Sequence, residues 1–368
     1  MTSESSGWQD ADGESHDQFK GVFGRVLTSR HLLILSGLGT SRCILSDEGQ
    51  AVAPTMADLW IAVRAANEKS FDSILRRVGW GEQSQNVELL LSRCQMEQAL
   101  RPSDELKAFI AAGEKAIATA CDFVTPKTDL NVHELFLRKI ARRSAKLPRA
   151  QIFTTNYDLA FEAAAARIGF ATIDGFTATL PARFDPVAFD RDLARRESSD
   201  VGAPLDWVPN VMQLHKLHGS IDWSAVNGAI YRERPMDNPV IVYPRASKFE
   251  ASYQQPFLEL MSRFQTALRR GGTGLIVAGS GFEDRHIAEP FLAAVRGNVG
   301  INIVVLSRSL EKKENRVTSV LKRLIANGDR RLALVAGSFE GLVQALPDLV
   351  AVTEEEAHAA RVAASEDV

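Results

Sequence analysis

Short, unbroken apolar runs recur along the chain: "HLLILS" at 31–36, "AQIFTT" at 150–155, "GLIVAG" at 274–279, "INIVVLS" at 301–307 and "RLALVAG" at 331–337. Each has the length of a strand, and most are followed by an amphipathic segment of helix length. A strand exposed on one face alternates apolar with polar residues. One that is apolar throughout is buried on both faces, as in a parallel sheet with helices on each side. The pattern predicts an open, doubly wound, Rossmann-like α/β domain over about residues 17–350.

Two regions break the rhythm. From about Pro54 to Lys146 the chain reads as successive helices ("TMADLWIAVRAAN", "NVELLLSRCQMEQAL", "DELKAFIAAGEKAIATACDFV", "NVHELFLRKIARRSAK") with no strand among them, which predicts a helical insert at about 54–146. From about Gly175 to Pro244, Pro, Gly and Asp punctuate shorter segments, and Asn227-Gly228 within "DWSAVNGAIYR" signals a hairpin. Residues 1–16 and 351–368 are polar and acidic, and are expected to form a flexible N-terminus and a C-terminal tail outside the core.

Composition narrows the class. Of 368 residues 45% are apolar and 24% charged, with a net charge of −3, the profile of a folded globular protein. That balance argues against gripping nucleic acid by bulk charge, so direct nucleic-acid contact is not indicated. One local basic run, Arg138, Lys139, Arg142, Arg143, Lys146 and Arg149, is a solvated face or a contact for an acidic partner or nucleic acid. Cys43, Cys94 and Cys121 form no C-x-x-C pair, so neither a disulfide framework nor a metal site is expected and a reducing cytoplasm is the natural setting. No apolar run reaches the roughly 18 residues of a membrane span, and no membrane association is expected.

In open parallel sheets ligands bind beyond the carboxyl ends of the strands, and those ends carry the chemistry here. After the first run comes Gly37-Leu38-Gly39-Thr40-Ser41, a loop whose backbone can approach a diphosphate, or simply turn tightly. A hydride-transfer fingerprint would need a third glycine where Arg42 stands. After the second run comes Thr154-Thr155-Asn156-Tyr157-Asp158. Asn156 or Asp158 can cap the following helix, but Thr155, Asn156 and Asp158 together exceed the hydrogen bonding that a cap uses. In "HKLHGSIDW", His218 precedes Gly219 and can serve as a general base or be satisfied by a carbonyl, while His215 falls out of strand phase with it. Gly279-Ser280-Gly281 is a further close-approach loop, with Asp284 a helix cap. Ser307 and Arg308 stand where a ribose or adenine edge could be recognised, and Arg308 equally suits a solvated helix start.

In this order the pieces resemble the sirtuin family, particularly its bacterial NAD-hydrolysing branch found in anti-phage defence. Members carry G-A-G-x-S, then T-x-N-x-D, then H-G, then a G-S loop before the last strands. The resemblance implies NAD as substrate. It implies that Asp158 holds the nicotinamide amide, Asn156 touches the adjoining ribose and orients water, and His218 activates through the ribose hydroxyls. It places Gly37, Gly39, Thr40 and Ser41 at the diphosphate, with Thr155 and Gly279 nearby, and Ser280, Ser307 and Arg308 at the adenosine half. Deacylating members hold zinc with two cysteine pairs that this chain cannot supply, so no structural zinc is expected. Leu38 is bulkier than the family's usual residue at its position.

The function expected is therefore hydrolysis of NAD to nicotinamide and ADP-ribose. The alternatives are a non-catalytic module sensing NAD or ADP-ribose, and a zinc-free deacylase or ADP-ribosyl transferase. The bare architecture further resembles the version that acts as a homo-oligomer with a hexameric DNA translocase of the HerA type, with the insert and the basic run as expected contact surfaces.

Overall fold

The computed structural model describes residues 9–10, 17–81, 85–196, 205–232, 239–241, 255–308 and 315–349. Eight strands, β1 (Gln9–Asp10), β2 (His31–Ser36), β3 (Ala150–Thr154), β4 (Ala171–Ile173), β8 (Val211–Lys216), β12 (Thr273–Ala278), β13 (Asn302–Ser307) and β14 (Leu332–Ala336), form one sheet. Its order is β1-β14-β13-β12-β2-β3-β8-β4, and every pairing is parallel. The α/β architecture read from the apolar runs is the one found. Gln9–Asp10, expected outside the core, adds an edge strand by pairing with Val335 and Ala336. The expected acidic tail lies outside the described residues.

Period-two alternation splits each strand between two cores. Leu32, Ile34, Ile152, Leu214, Ile276, Val304 and Val335 pack under α1 (Asp17–Leu27), α6 (Asn131–Ala141), α7 (Ala160–Arg167) and α11 (Phe339–Ala345). Leu33, Leu35, Phe153, Leu275, Val277, Ile303, Val305 and Leu334 pack on α8 (Phe257–Arg269), α9 (Arg285–Gly297) and α10 (Arg316–Ala326). Burying each such side chain is worth about 1.5–3 kcal/mol, so both helical layers are held tightly to the sheet.

A smaller sheet, β5 (Ala182–Arg183), β9 (Gly219–Val226), β10 (Ala229–Arg232) and β11 (Pro239–Ile241), runs in the order β11-β9-β10-β5. Its β9–β10 hairpin turns on Asn227 and Gly228, with φ of 50° and 77°, the left-handed pair that Asn-Gly favours. A two-stranded ribbon joins β6 (Ala194–Arg195) to β7 (Asp206–Trp207).

The inserted helices α2 (Met56–Ala66), α3 (Phe71–Arg77), α4 (Val87–Leu100) and α5 (Asp104–Cys121) build a third core from Leu59, Trp60, Val63, Phe71, Leu90, Phe109 and Ile117. Tyr157, Leu159, Ile221 and Ile241, from the carboxyl end of the main sheet and from the smaller sheet, complete that core. The insert therefore sits where ligands of such sheets bind. Helix α6, grouped with the insert by its helical pattern, packs instead on the sheet, because Phe136, Leu137 and Ile140 fit against α7 and α11.

From β2 the chain moves to β3 on one side, and from β12 to β13 on the other. Neighbouring strands whose chains depart in opposite directions open a crevice at their carboxyl ends. The junction of β2 and β12 is that point.

Candidate functional site

Backbone pairing continues past the strand ends and draws four loops together. Gly37 N donates to Ala278 O (3.0 Å), Gly39 N to Gly279 O (3.1 Å), Thr155 N to Ser36 O (3.0 Å) and Leu217 N to Thr154 O (2.8 Å). The two glycine loops meet so closely that a Cβ on Gly39 would lie 2.4 Å from Gly279 Cα, and one on Gly37 would lie 2.7 Å from Gly279 O. Glycine is thus required at 37 and 39 by loop against loop. This contact is sufficient reason for glycine at both positions, beside the approach of a diphosphate expected from the sequence.

Beside this junction Thr154 at the end of β3 and Asn156 and Asp158 after it form a network with Ser36, Thr40 and Ser41. The Gly37 carbonyl orients the half-buried Asn156 amide, whose Nδ2 lies 3.1 Å from Gly37 O, 3.3 Å from Thr40 Oγ1 and 2.8 Å from Ser41 Oγ. Ser41 Oγ donates to Asp158 Oδ2 at 2.7 Å, and Asp158 Oδ1 accepts from Ala160 N at 3.0 Å, so Asp158 braces the turn into α7, whose N-cap position is Leu159, and joins the network. Thr40 Oγ1 is 2.7 Å from Ser36 Oγ, and Asn156 N donates to Thr154 Oγ1 at 3.1 Å. The Asn156 amide oxygen accepts no hydrogen bond among the described residues. A side-chain amide fixed through its nitrogen presents its oxygen in a set direction.

The Tyr157–Asp158 turn is clamped from β8. Lys216, buried, donates through Nζ to the carbonyls of Tyr157 (3.2 Å) and Asp158, and pairs with Glu162 at 3.1 Å. Burial pushes the Glu162 carboxyl up to about 7, against the pull of Lys216. From above, Tyr157 OH donates to Glu88 Oε1 of α4 at 2.8 Å. Burial, with the negative charges of Asp284 and Glu283 opposing ionisation, lifts Glu88 to about 7.

His218 follows β8 and is buried; burial lowers it to about 4. Its Nε2 lies 2.7 Å from Nε2 of His286, in the first turn of α9, and its ring centroid 6.5 Å from that of Tyr157. Gly219 is needed after it, with φ of +84° and a Cβ position 2.1 Å from Val240 O. His215 is a core residue, stacked between Phe153 at 4.4 Å and Phe189 at 4.2 Å and lowered by burial to about 3. Its exclusion from the site on strand phase agrees with this placement.

The structure thus joins Gly37, Gly39, Thr40, Ser41, Asn156, Asp158 and Gly279 directly, with Thr155 bonded to the end of β2 and His218 at the next strand end. Ser280 follows Gly279, and its Oγ accepts from Phe282 N at 3.4 Å. Asp284 occupies the N-cap position of α9 but makes no side-chain cap bond. Ser307 ends β13, one strand further out, and exposed Arg308 follows it, paired with Glu340 at 3.3 Å. Three residues beside the network were not singled out from sequence: Lys216, His286 and Glu88. A lysine inside an otherwise buried strand signals a buried partner, and His286 stands inside "GSGFEDRHI"; Glu88 carries no local signal.

Among the described residues no group of three His, Cys, Asp or Glu side chains could hold a metal ion. All three cysteines are free, their thiols pushed up to about 12 by burial. No described helix is long and apolar enough to cross a membrane.

No curated protein matches the chain. A family model described as a SIR2-like domain matches residues 150–323, a span that contains Asn156, Asp158, His218, Ser280, Ser307 and Arg308 but not the Gly37–Ser41 loop. That match supports a sirtuin-like family for residues 150–323, and a SIR2-like domain implies NAD binding.

Proposed function

We propose that this site hydrolyses NAD at the nicotinamide–ribose bond, releasing nicotinamide and ADP-ribose. The observation that carries the proposal is Asn156, its amide nitrogen held by Gly37, Thr40 and Ser41 and its oxygen left to accept. Cleavage passes through an oxocarbenium-like state, in which positive charge grows on the ribose as nicotinamide departs. A fixed amide dipole beside that charge stabilises it without reorganising. The same oxygen accepts a hydrogen bond from the attacking water, and His218 takes the proton released as water or the ribose hydroxyl reacts. Asp158, set by Ser41 and Ala160 N, holds the nicotinamide carboxamide, and the Ser280, Ser307 and Arg308 side serves adenosine. A module that only sensed NAD would have no need of both Asn156 and His218.

In the cell such an enzyme depletes NAD during anti-phage defence, as a homo-oligomer held in check or triggered by a HerA-type ATPase. The insert α2–α5, with exposed Ile61 and Leu100, is the surface we assign to that partner. The basic run contributes less than its sequence suggests. Lys139 and Arg143 are buried on the carbonyls of Leu346 and Leu27, and Arg149 pairs with Asp192 at 2.8 Å. Arg138, Arg142 and Lys146 remain on the surface.

Calorimetry with turnover tests the role of Asn156. Asn156→Ala is expected to bind NAD within about tenfold of wild type, since one net hydrogen bond is worth about 0.5–1.5 kcal/mol, while cleavage falls far more. Equal losses of binding and cleavage would make Asn156 a binding residue only.

A further inference from the structure

His218 is an awkward base for the role just given to it. Its ring is buried, and burial holds the charged form down, to about 4, so an imidazolium resting there is costly. His286 offers a way out. Two imidazole nitrogens 2.7 Å apart, Nε2 to Nε2, must share one hydrogen, with one ring donating and the other accepting. His286 is half-buried in the first turn of α9 and so lies closer to solvent than His218. Glu283 and Asp284 stand three and two positions before it, with exposed Arg285 between, and the His286 charge favours ionisation of Asp284 against the burial that raises it. From the facing elements come the Tyr157 phenol and, bonded to it, Glu88. The pair thus faces the carboxyls of Asp284 and Glu283 on the His286 side and Glu88 through Tyr157 on the His218 side, with Arg285 the neighbouring cation.

We propose that His286 is a proton-relay partner of His218, so that the buried ring passes a proton through without ever keeping a charge. The step balances as follows. The O–H bond of the substrate hydroxyl or water breaks and its proton forms an N–H bond at His218 Nδ1. In the same motion the hydrogen on His218 Nε2 moves to the Nε2 lone pair of His286. His218 ends neutral with its tautomer exchanged, and the positive charge comes to rest on His286 beside Glu283 and Asp284, from where the proton leaves to solvent. No electrons are transferred and no further reactant is consumed. His286 acts through His218, and its role is positioning and relay.

This inference rests on the NAD-cleaving proposal, and the test separates the two. Single-turnover cleavage and NAD binding are measured on the full chain for wild type, His286→Ala and His286→Gln, with and without added imidazole, alongside ¹⁵N spectra of the histidine rings. Loss of the relay is expected to slow cleavage in both variants roughly 100-fold, in the range typical of general acid–base groups, with NAD affinity unchanged. Imidazole restores the Ala variant, whose cavity admits it. Gln, whose amide oxygen accepts a hydrogen bond but takes up no proton, stays slow. Wild-type rates in His286→Ala, recovery in His286→Gln, or no rescue by imidazole would each overturn the relay. If the wild-type protein leaves NAD intact, the NAD proposal falls, and the ¹⁵N spectra still judge the pair: a His218 tautomer unaffected by His286→Ala would overturn it.

Discussion

Two junctions lie side by side at the carboxyl edge of the sheet, and they are built on opposite principles. Where the β2 and β12 loops meet, Gly37, Gly39 and Gly279 pack backbone on backbone, and every unusual residue is accounted for by space. Where the β3 and β8 loops meet, Asn156, Asp158, Lys216 and His218 are polar or charged groups taken largely out of water. Burying such groups costs free energy unless each finds a partner, and here the partners are supplied by neighbouring loops rather than by a simple cap. The glycine junction fixes the frame, and the polar junction has capacity to spare for a ligand. A glycine-rich loop at a strand end is therefore weak ground for a ligand site, while an amide held by one end is stronger ground.

Substitutions at the two junctions should fail in different ways. The largest effect is expected for His218→Ala, with NAD cleavage reduced by about 10²–10⁴-fold, as for loss of a general base, in a protein that still folds although the buried ring leaves a cavity that lowers its melting temperature; equal loss of fold and activity would erase the distinction. Asn156→Ala should lose comparable activity but also about 0.5–1.5 kcal/mol of stability, because its amide nitrogen ties down the glycine loop. At the other junction Gly39→Ala should act through the fold first. Its Cβ meets Gly279 Cα at 2.4 Å, and overpacking of this kind costs about 1–3 kcal/mol, readable by urea unfolding. A stable Gly39→Ala protein would show that the two loops yield easily.

A pH series sharpens the polar side. The Glu88 carboxyl is raised from 4.5 to about 7 in the folded chain, so the fold favours its protonated form. Its contribution to stability is then complete below pH 4.5 and is lost as pH climbs through 7. The melting temperature should fall over that window, and Glu88→Gln should flatten the fall. Some slope will persist, because Glu162 is raised to about 7 in the same direction. The smallest effect is expected for Ser280→Ala, a loss of NAD affinity of about 0.5–1.5 kcal/mol for one hydrogen bond, measured by calorimetry.

Much of the frame could be read in the sequence, for a physical reason. Strands β2, β3, β12, β13 and β14 are apolar along their length because both faces are covered, and unbroken apolarity survives without knowledge of partners. Strand β8 did not stand out as one of these runs, since Gln213, His215 and Lys216 interrupt it. Each makes sense only through distant groups, Gln151 for the first, Phe153 and Phe189 for the second, and Glu162 for the third. Asn156 and His218 stand out in the sequence through their local motifs, Thr155-Asn156-Tyr157-Asp158 and His218-Gly219, although the groups they bond lie far along the chain. His286 and Glu88 do not, because helices far along the chain bring them to the site. The glycines carry a second reason that the sequence does not reveal, since a close contact between two loops leaves the same mark in sequence as a close contact with a ligand.

The central claim is that the polar junction breaks the nicotinamide–ribose bond. The direct measurement is incubation of the purified full chain with NAD, with and without candidate activators including the product of any adjacent ATPase gene, followed by chromatography of the products. Nicotinamide and ADP-ribose should appear in equal amounts with the wild-type protein and be absent with His218→Ala. Intact NAD under every condition, or the same products from the His218 variant at the wild-type rate, would contradict the account.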